Sequence, residues 1–325
     1  MKNRAKCKPK IRAKNKEKIN IILRGKALEK MQVFLFELRW KMKIENYKNF
    51  GKCVVLERAG FKTMITVDIG PRIIYYGTDK INFMNEDIER NVSKDGEFFD
   101  NEYKVGETWY LYGGHRVWKS PEDLYTYTPD NYPVEYTMHD DFGGEFVCNA
   151  SKKFSYKLIV DIDENGSLCV KNVVKSLDMS KNFHVWALSV VAKDGVLRVP
   201  LNDKVDDLNP TQNLVFWPYD DLKDDRFDIV KNLLTVRQTN KENPLKLGLY
   251  SKKGRAYYTL GDLTLKWTCN ITDHDGKYAD FGCNFETYTN NHILEVEWLS
   301  REFKGGEEGV LEERFEIIKT PENFD

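Results

Sequence analysis

The chain has 325 residues, with 50 basic side chains against 51 acidic ones and a formal charge of −1, a balance that argues against a dedicated nucleic-acid binder, which would normally carry a broad basic surface. Its length suits one large all-β domain or two smaller ones. No apolar run approaches the roughly 18 residues of a membrane helix, and six scattered cysteines without CxxC spacing read as reduced, buried thiols of a cytoplasmic protein rather than as disulfides or a zinc site.

Residues 1–41 differ from the rest of the chain, holding fourteen Lys or Arg against Glu17, Glu29 and Glu37. Such a block is expected to be a solvated, disordered extension, or to arise from a start assigned upstream of Met42. Residues 42–325 are then expected to form a single β-sandwich domain. Lys52–Glu57 and Lys62–Val67 read as a hairpin, and GPRIIYYG at Gly70–Gly77 as a third strand entered through Gly-Pro. Asp79–Tyr103 is charged and Asn-rich and reads as a long loop.

The segment from Trp109 to Val134 concentrates Gly113-Gly114, the pair His115-Arg116, and the aromatics Trp109, Tyr110, Tyr112, Trp118, Tyr125 and Tyr127. Two glycines allow close approach to the main chain, so the segment reads either as a ligand wall or as a tight turn between strands. Further strands are expected at Val134–His139, Gly144–Cys148, Lys152–Ile162, Ser167–Ser176 and His184–Val191. More are expected at Leu214–Trp217, Ile229–Gln238, Leu245–Ser251, Arg255–Leu260, Leu263–Asn270, Gly282–Tyr288, His292–Leu299 and Gly309–Ile318. No βα alternation intervenes, so the expected class is all-β, a large antiparallel sandwich.

Five histidines narrow the chemistry. His139, His274 and His292 lie in polar strand ends or turns, which leaves His115 and His184. On a strand, His184, Trp186, Leu188 and Val190 share one face, and a histidine there can exchange protons near neutral pH. Glu286 stands in an apolar, aromatic strand, where a carboxylate is costly unless paired or used. Glu295 and Glu297 alternate with Leu294, Val296 and Trp298 and read as a solvent face.

In order, GPRIIYYG, GGHRVW (Gly113–Trp118), PEDLYTYTPDNYPV (Pro121–Val134), HVWAL (His184–Leu188), LVFWPYDDLKDDR (Leu214–Arg226) and FGCNFETYTNNHILEVEWL (Phe281–Leu299) together resemble the galactose mutarotase-like superfamily, in an uncharacterised branch. The resemblance spans Met42 to Lys319. It implies a supersandwich with a sugar cleft on the concave face of one sheet. It also implies aldose 1-epimerase chemistry, in which a Glu takes the anomeric proton, a His protonates the ring oxygen, and the ring opens and recloses. These roles fall on Glu286 and His184. The same resemblance makes His115 and Arg116 substrate contacts.

Arg72 and Arg226 join Arg116 as candidate contacts to hydroxyls or to an anionic group, and Trp109, Trp118, Trp186 and Trp217 as stacking platforms. Asp130 is a further candidate contact; it or Asp224 would be the second carboxylate of a lyase or hydrolase. The Gly-Arg-x-x-Asn-Arg segment of true aldose epimerases and the proline after their Glu do not stand here, so a non-catalytic carbohydrate-binding module is the alternative. The expected partner is a small sugar, with no cofactor and no metal demanded.

Overall fold

The computed structural model describes residues 43–324 apart from 91–92, 95–96, 98–100, 102–108, 112, 128, 149–152 and 272. The basic extension 1–41, parts of the expected loop 79–103, and Tyr112 lie outside the described residues; the described part of 79–103 is not all loop, since it includes the short strands Ile81–Asn82 and Ser93–Lys94. Among those described, almost all regular structure is antiparallel strand, in two large sheets.

The first sheet has eleven strands. Neighbour to neighbour it runs Lys43–Asn46, Lys52–Arg58, Phe61–Thr66, Ile73–Thr78, Gly114–Ser120, His184–Val190, Leu294–Leu299, Phe285–Thr289, Leu245–Leu249, Val215–Phe216, with Ile81–Asn82 added to Ile73–Thr78. The second has ten: Phe227–Val230, Leu233–Arg237, Val196–Pro200, Arg255–Leu260, Leu263–Cys269, Glu308–Lys319, Leu168–Ser176, Phe154–Ile162, Gly143–Cys148, Glu135–Asp140. The expected antiparallel sandwich is therefore present.

Period-two alternation builds the layer between the sheets. Phe154, Tyr156, Leu158, Val160 and Ile162 are buried while the residues between them are half-buried, and these five meet Val117, Val185, Ala187, Leu247, Phe285, Val296 and Trp298 from the first sheet in one apolar cluster. The centre of the first sheet is also covered on its other face. Gly114–Ser120, His184–Val190 and Leu294–Leu299 are buried at every residue. On that outer face Trp109, Trp118, Trp186, Leu188, Val190 and Leu299 form a second cluster.

Some expectations change. Ile229–Gln238 is two strands, Phe227–Val230 and Leu233–Arg237, hinged at Lys231 with φ 56°; no glycine marks that turn. Gly114–Ser120 is a central strand rather than a loop or turn. Gly113 and Gly114 have φ of 82° and 71°, and a Cβ on either would lie 2.1 Å from the Asn85 carbonyl oxygen or 2.5 Å from that of Ile73. The glycines thus admit the chain's own backbone, which sets the strand against Ile73–Thr78.

Candidate functional site

The register of four strands fixes the centre of the outer face. Leu188 stands opposite Glu297, Glu297 opposite Glu286, and Glu286 opposite Gly248. One pair further along, Glu295 stands opposite Tyr288 and Tyr288 opposite Lys246. Two glutamates are thus cross-strand neighbours, an arrangement that is repulsive when both are charged, and the Lys246 ammonium bridges them. Its Nζ lies 2.8 Å from Glu286 Oε2 and 3.1 Å from Glu297 Oε2, and Trp186 Nε1 donates to Glu297 Oε2 at 2.9 Å. Lys246 also sits 4.8 Å and 4.9 Å from the ring centroids of Trp186 and Trp217.

Asp220 locks this corner. Its carboxylate accepts the backbone N–H of Lys246 at 2.9 Å and of Trp217 at 2.5 Å, tying the Trp217 turn to the Lys246 strand. Gly248 leaves the space that Trp217 fills: a Cβ there would lie 3.3 Å from the indole and 2.6 Å from Cys283 Sγ.

A cavity of about 470 Å³ opens over this corner, within the range of small-ligand sites. Its lining includes Glu286, Lys246, Trp186, Trp217, Ser120 and Asp280. Glu286 is 1% exposed, and its Oε1 has no hydrogen-bond partner among the described residues. Burial drives the Glu286 pKa well above the ordinary carboxylate value; Lys246 opposes the rise and Glu297 adds to it. Burial alone would lower the Lys246 pKa, but Glu297 and Glu286 outweigh it and hold the ammonium charged.

No protein-family model and no curated protein matches the chain. Solved structures do. The Slr1438 protein of Synechocystis sp. PCC 6803 superposes with a TM-score of 0.50 at 11% identity, covering 87% of this chain and 98% of that one. A galactose mutarotase-like protein of Clostridium acetobutylicum gives 0.50 at 12% identity, covering 87% and 99%. The fold is galactose mutarotase-like.

On this mutarotase-like sandwich the sequence-derived candidates divide. Glu286, Trp186 and Trp217 line the cavity. His184 shares their face and stands opposite Ser120, which also lines it. The His184 Nδ1–H donates to the Ser300 carbonyl at 2.9 Å, which leaves Nε2 for other work. Burial lowers the His184 pKa, partly offset by that carbonyl. Across two strand spacings and four residues along the strand, the His184 and Glu286 Cα atoms lie about 16 Å apart.

His115 does not reach the cleft. It points between the sheets, with Nδ1 2.9 Å from Ser189 Oγ and Nε2 2.8 Å from Asn172 Oδ1, so its expected role as a substrate contact is corrected. Neighbouring strand residues face opposite sides, and Arg116 takes the outer one. Arg116 stacks on Trp118 at 3.7 Å and on Trp109 at 5.1 Å, with Nη2 3.7 Å from Glu295 Oε1. Arg116, Trp118 and Trp109 therefore build the wall behind the cavity rather than its lining. Arg72 is fully buried against Asp130 at 2.7 Å. Arg226 is fully buried and grips Asp224 through Nε and Nη2, with Nη2 2.6 Å from Oδ2. These two ion pairs engage all four groups, and none of the four lines the cavity over Glu286, against their expected roles there.

Glu295 and Glu297 are buried, at 8% and 0% exposure, not solvent-facing. Burial, then Glu297, raises the Glu295 pKa to about 8 against the pull of Arg116. Lys246 was missed by sequence reasoning, although a lone Lys between Leu245, Leu247 and Leu249 is an available signal. Among the described residues no group of three or more His, Cys, Asp or Glu could hold a metal ion, and no helix is long and apolar enough to cross a membrane.

Proposed function

We propose that the cavity binds a sugar and that the protein acts as an aldose 1-epimerase on it, with Glu286 as base and His184 as acid. One observation carries the reading: Glu286, a buried carboxylate whose Oε1 has no protein partner among the described residues, lines a cavity walled by Trp186 and Trp217. The indoles suit the apolar faces of a pyranose. Glu286 takes the proton of the anomeric hydroxyl, the C1–O5 bond breaks as C1=O1 forms, and O5 takes a proton from His184 Nε2. Rotation about C1–C2 and the reverse transfers close the other anomer. The two side chains share one face of the sheet, as transfers to a single ring require.

Lys246 holds Glu286 Oε2, so the second oxygen is left to the substrate. The reaction needs Glu286 ionised and His184 protonated. Burial opposes both, and Lys246 favours the first. Anomer exchange followed by polarimetry or NMR across a sugar panel tests the reading. Glu286→Gln should reduce exchange by about 100-fold or more; equal rates in both proteins would remove the assignment.

A non-catalytic module is favoured by one observation: His184 itself does not line the cavity. That reading predicts saturable sugar binding with no acceleration of anomer exchange.

A further inference from the structure

The charge of the cavity wall bears on which class of sugar enters, within the binding reading above, on which this inference rests. Glu122, Asp123, Asp280 and Glu286 contribute four carboxyl groups to the lining, against the single ammonium of Lys246. Asp123 is already neutralised: Lys119 Nζ lies 2.6 Å from its Oδ2, and its Oδ1 accepts the backbone N–H groups of Tyr125 and Thr126 at 2.8 Å and 3.2 Å. Lys246 is shared by Glu286 and Glu297, so that buried trio holds one more carboxyl group than ammonium.

Asp280 differs from the rest. It is half-buried, and its carboxylate enters no hydrogen bond or ion pair with the described residues. It is held over the cavity by a turn in which Asp280 and Phe281 both adopt left-handed backbone, φ 48° and 61°, a conformation that Asp tolerates and that surrounding structure must impose on Phe281. No guanidinium offsets it at the lining: Arg72 and Arg226 are held by Asp130 and Asp224, and Arg116 lies over Trp118. Glu286, whose buried Oε1 is without a partner among the described residues, lines the same cavity.

We propose that the pocket selects an aldose carrying a protonated amine, with the ammonium set against Asp280, and rejects phosphorylated and uronic sugars. An ammonium supplies three donors, and the Asp280 carboxylate is the lining group that no described cation engages. A phosphate or uronate would enter a negative field without a guanidinium to receive it.

The test is an NMR titration of the full chain with D-glucosamine and D-galactosamine, their neutral parents D-glucose and D-galactose, and the corresponding 6-phosphates. Amino sugars should bind at least tenfold more tightly than their parents and the phosphates should not bind. The preference should shrink as salt rises and fall toward parity in Asp280→Asn. Asparagine tolerates the left-handed backbone, and an unchanged thermal midpoint would verify that the variant is folded. Equal affinity for amino and neutral sugars, or tighter binding of a phosphate, would overturn the proposal while leaving the sugar cleft intact. Failure of wild type to bind any sugar would overturn both readings.

Discussion

Replacing Glu313 by Gln should make the protein more stable, and increasingly so as pH rises. Glu313 is 4% exposed between the sheets. Asn172 Nδ2 donates to its Oε2 at 2.6 Å, and His115 Nε2 lies 3.7 Å away. Burial lifts its pKa from 4.5 to about 8, against the Asn172 hydrogen bond. A carboxyl whose folded pKa is raised keeps its proton when the unfolded chain has lost it. Between these two pKa values the unfolded state binds fewer protons, so stability falls with rising pH. At about 1.36 kcal/mol per pKa unit, the wild type should lose roughly 3 to 4 kcal/mol from this group between about pH 5 and about pH 8.

The substituted glutamine retains the acceptor for Asn172 and cannot ionise, so the variant should escape that loss. His115 has the opposite slope. Burial lowers its pKa to about 4 despite its Asn172 bond, so it adds stability as pH rises from 4 toward 6.5, in both proteins. Urea unfolding of wild type and Glu313→Gln at the two pH values measures the difference directly. Parallel stability curves would show that Glu313 ionises normally and would refute the reasoning.

Lys246→Met strips the shared ammonium from two opposed glutamates and should cost roughly 3–5 kcal/mol, as expected for an uncompensated buried charge. In denaturant unfolding, adding Glu297→Gln should recover part of that loss. Where Lys246→Met folds, the acidic limb of its kcat/KM profile should move to higher pH, because the cation that favours ionised Glu286 is gone. Gly248→Ala places a Cβ 2.6 Å from Cys283 Sγ and 3.3 Å from the Trp217 ring. It should destabilise by about 1–3 kcal/mol, shift tryptophan fluorescence and weaken sugar binding; an unchanged emission spectrum and melting midpoint would mean that the glycine is not what admits Trp217.

Local signals located most strands to within two residues, because alternation and turn chemistry are written in neighbouring positions. The strand Phe154–Ile162 shows it: each inward residue is apolar and each intervening one is half-buried. The same alternation put His184, Trp186 and Leu188 on one face, and the registers agree. It also led to the reading of Glu295 and Glu297 as solvent-facing, since a polar residue at every second position looks the same whether water or a second covering layer lies beyond. His115 and Arg116 were read as a pair because they are adjacent; strand geometry sends them to opposite faces of the sheet.

Apolar periodicity and an isolated carboxylate are local facts, so the all-β class, the strands and the prominence of Glu286 were legible in the chain before it folds. What Glu286 meets was not. Lys246, forty residues earlier, and Glu297, eleven later, reach it because their strands flank Phe285–Thr289 on either side, and no periodicity within a strand encodes which strand becomes its neighbour. Folding likewise consumed Arg72, Arg226, Asp130 and Asp224 in buried pairs. A buried charge needs a partner, and which partner it finds depends on how the chain crosses itself.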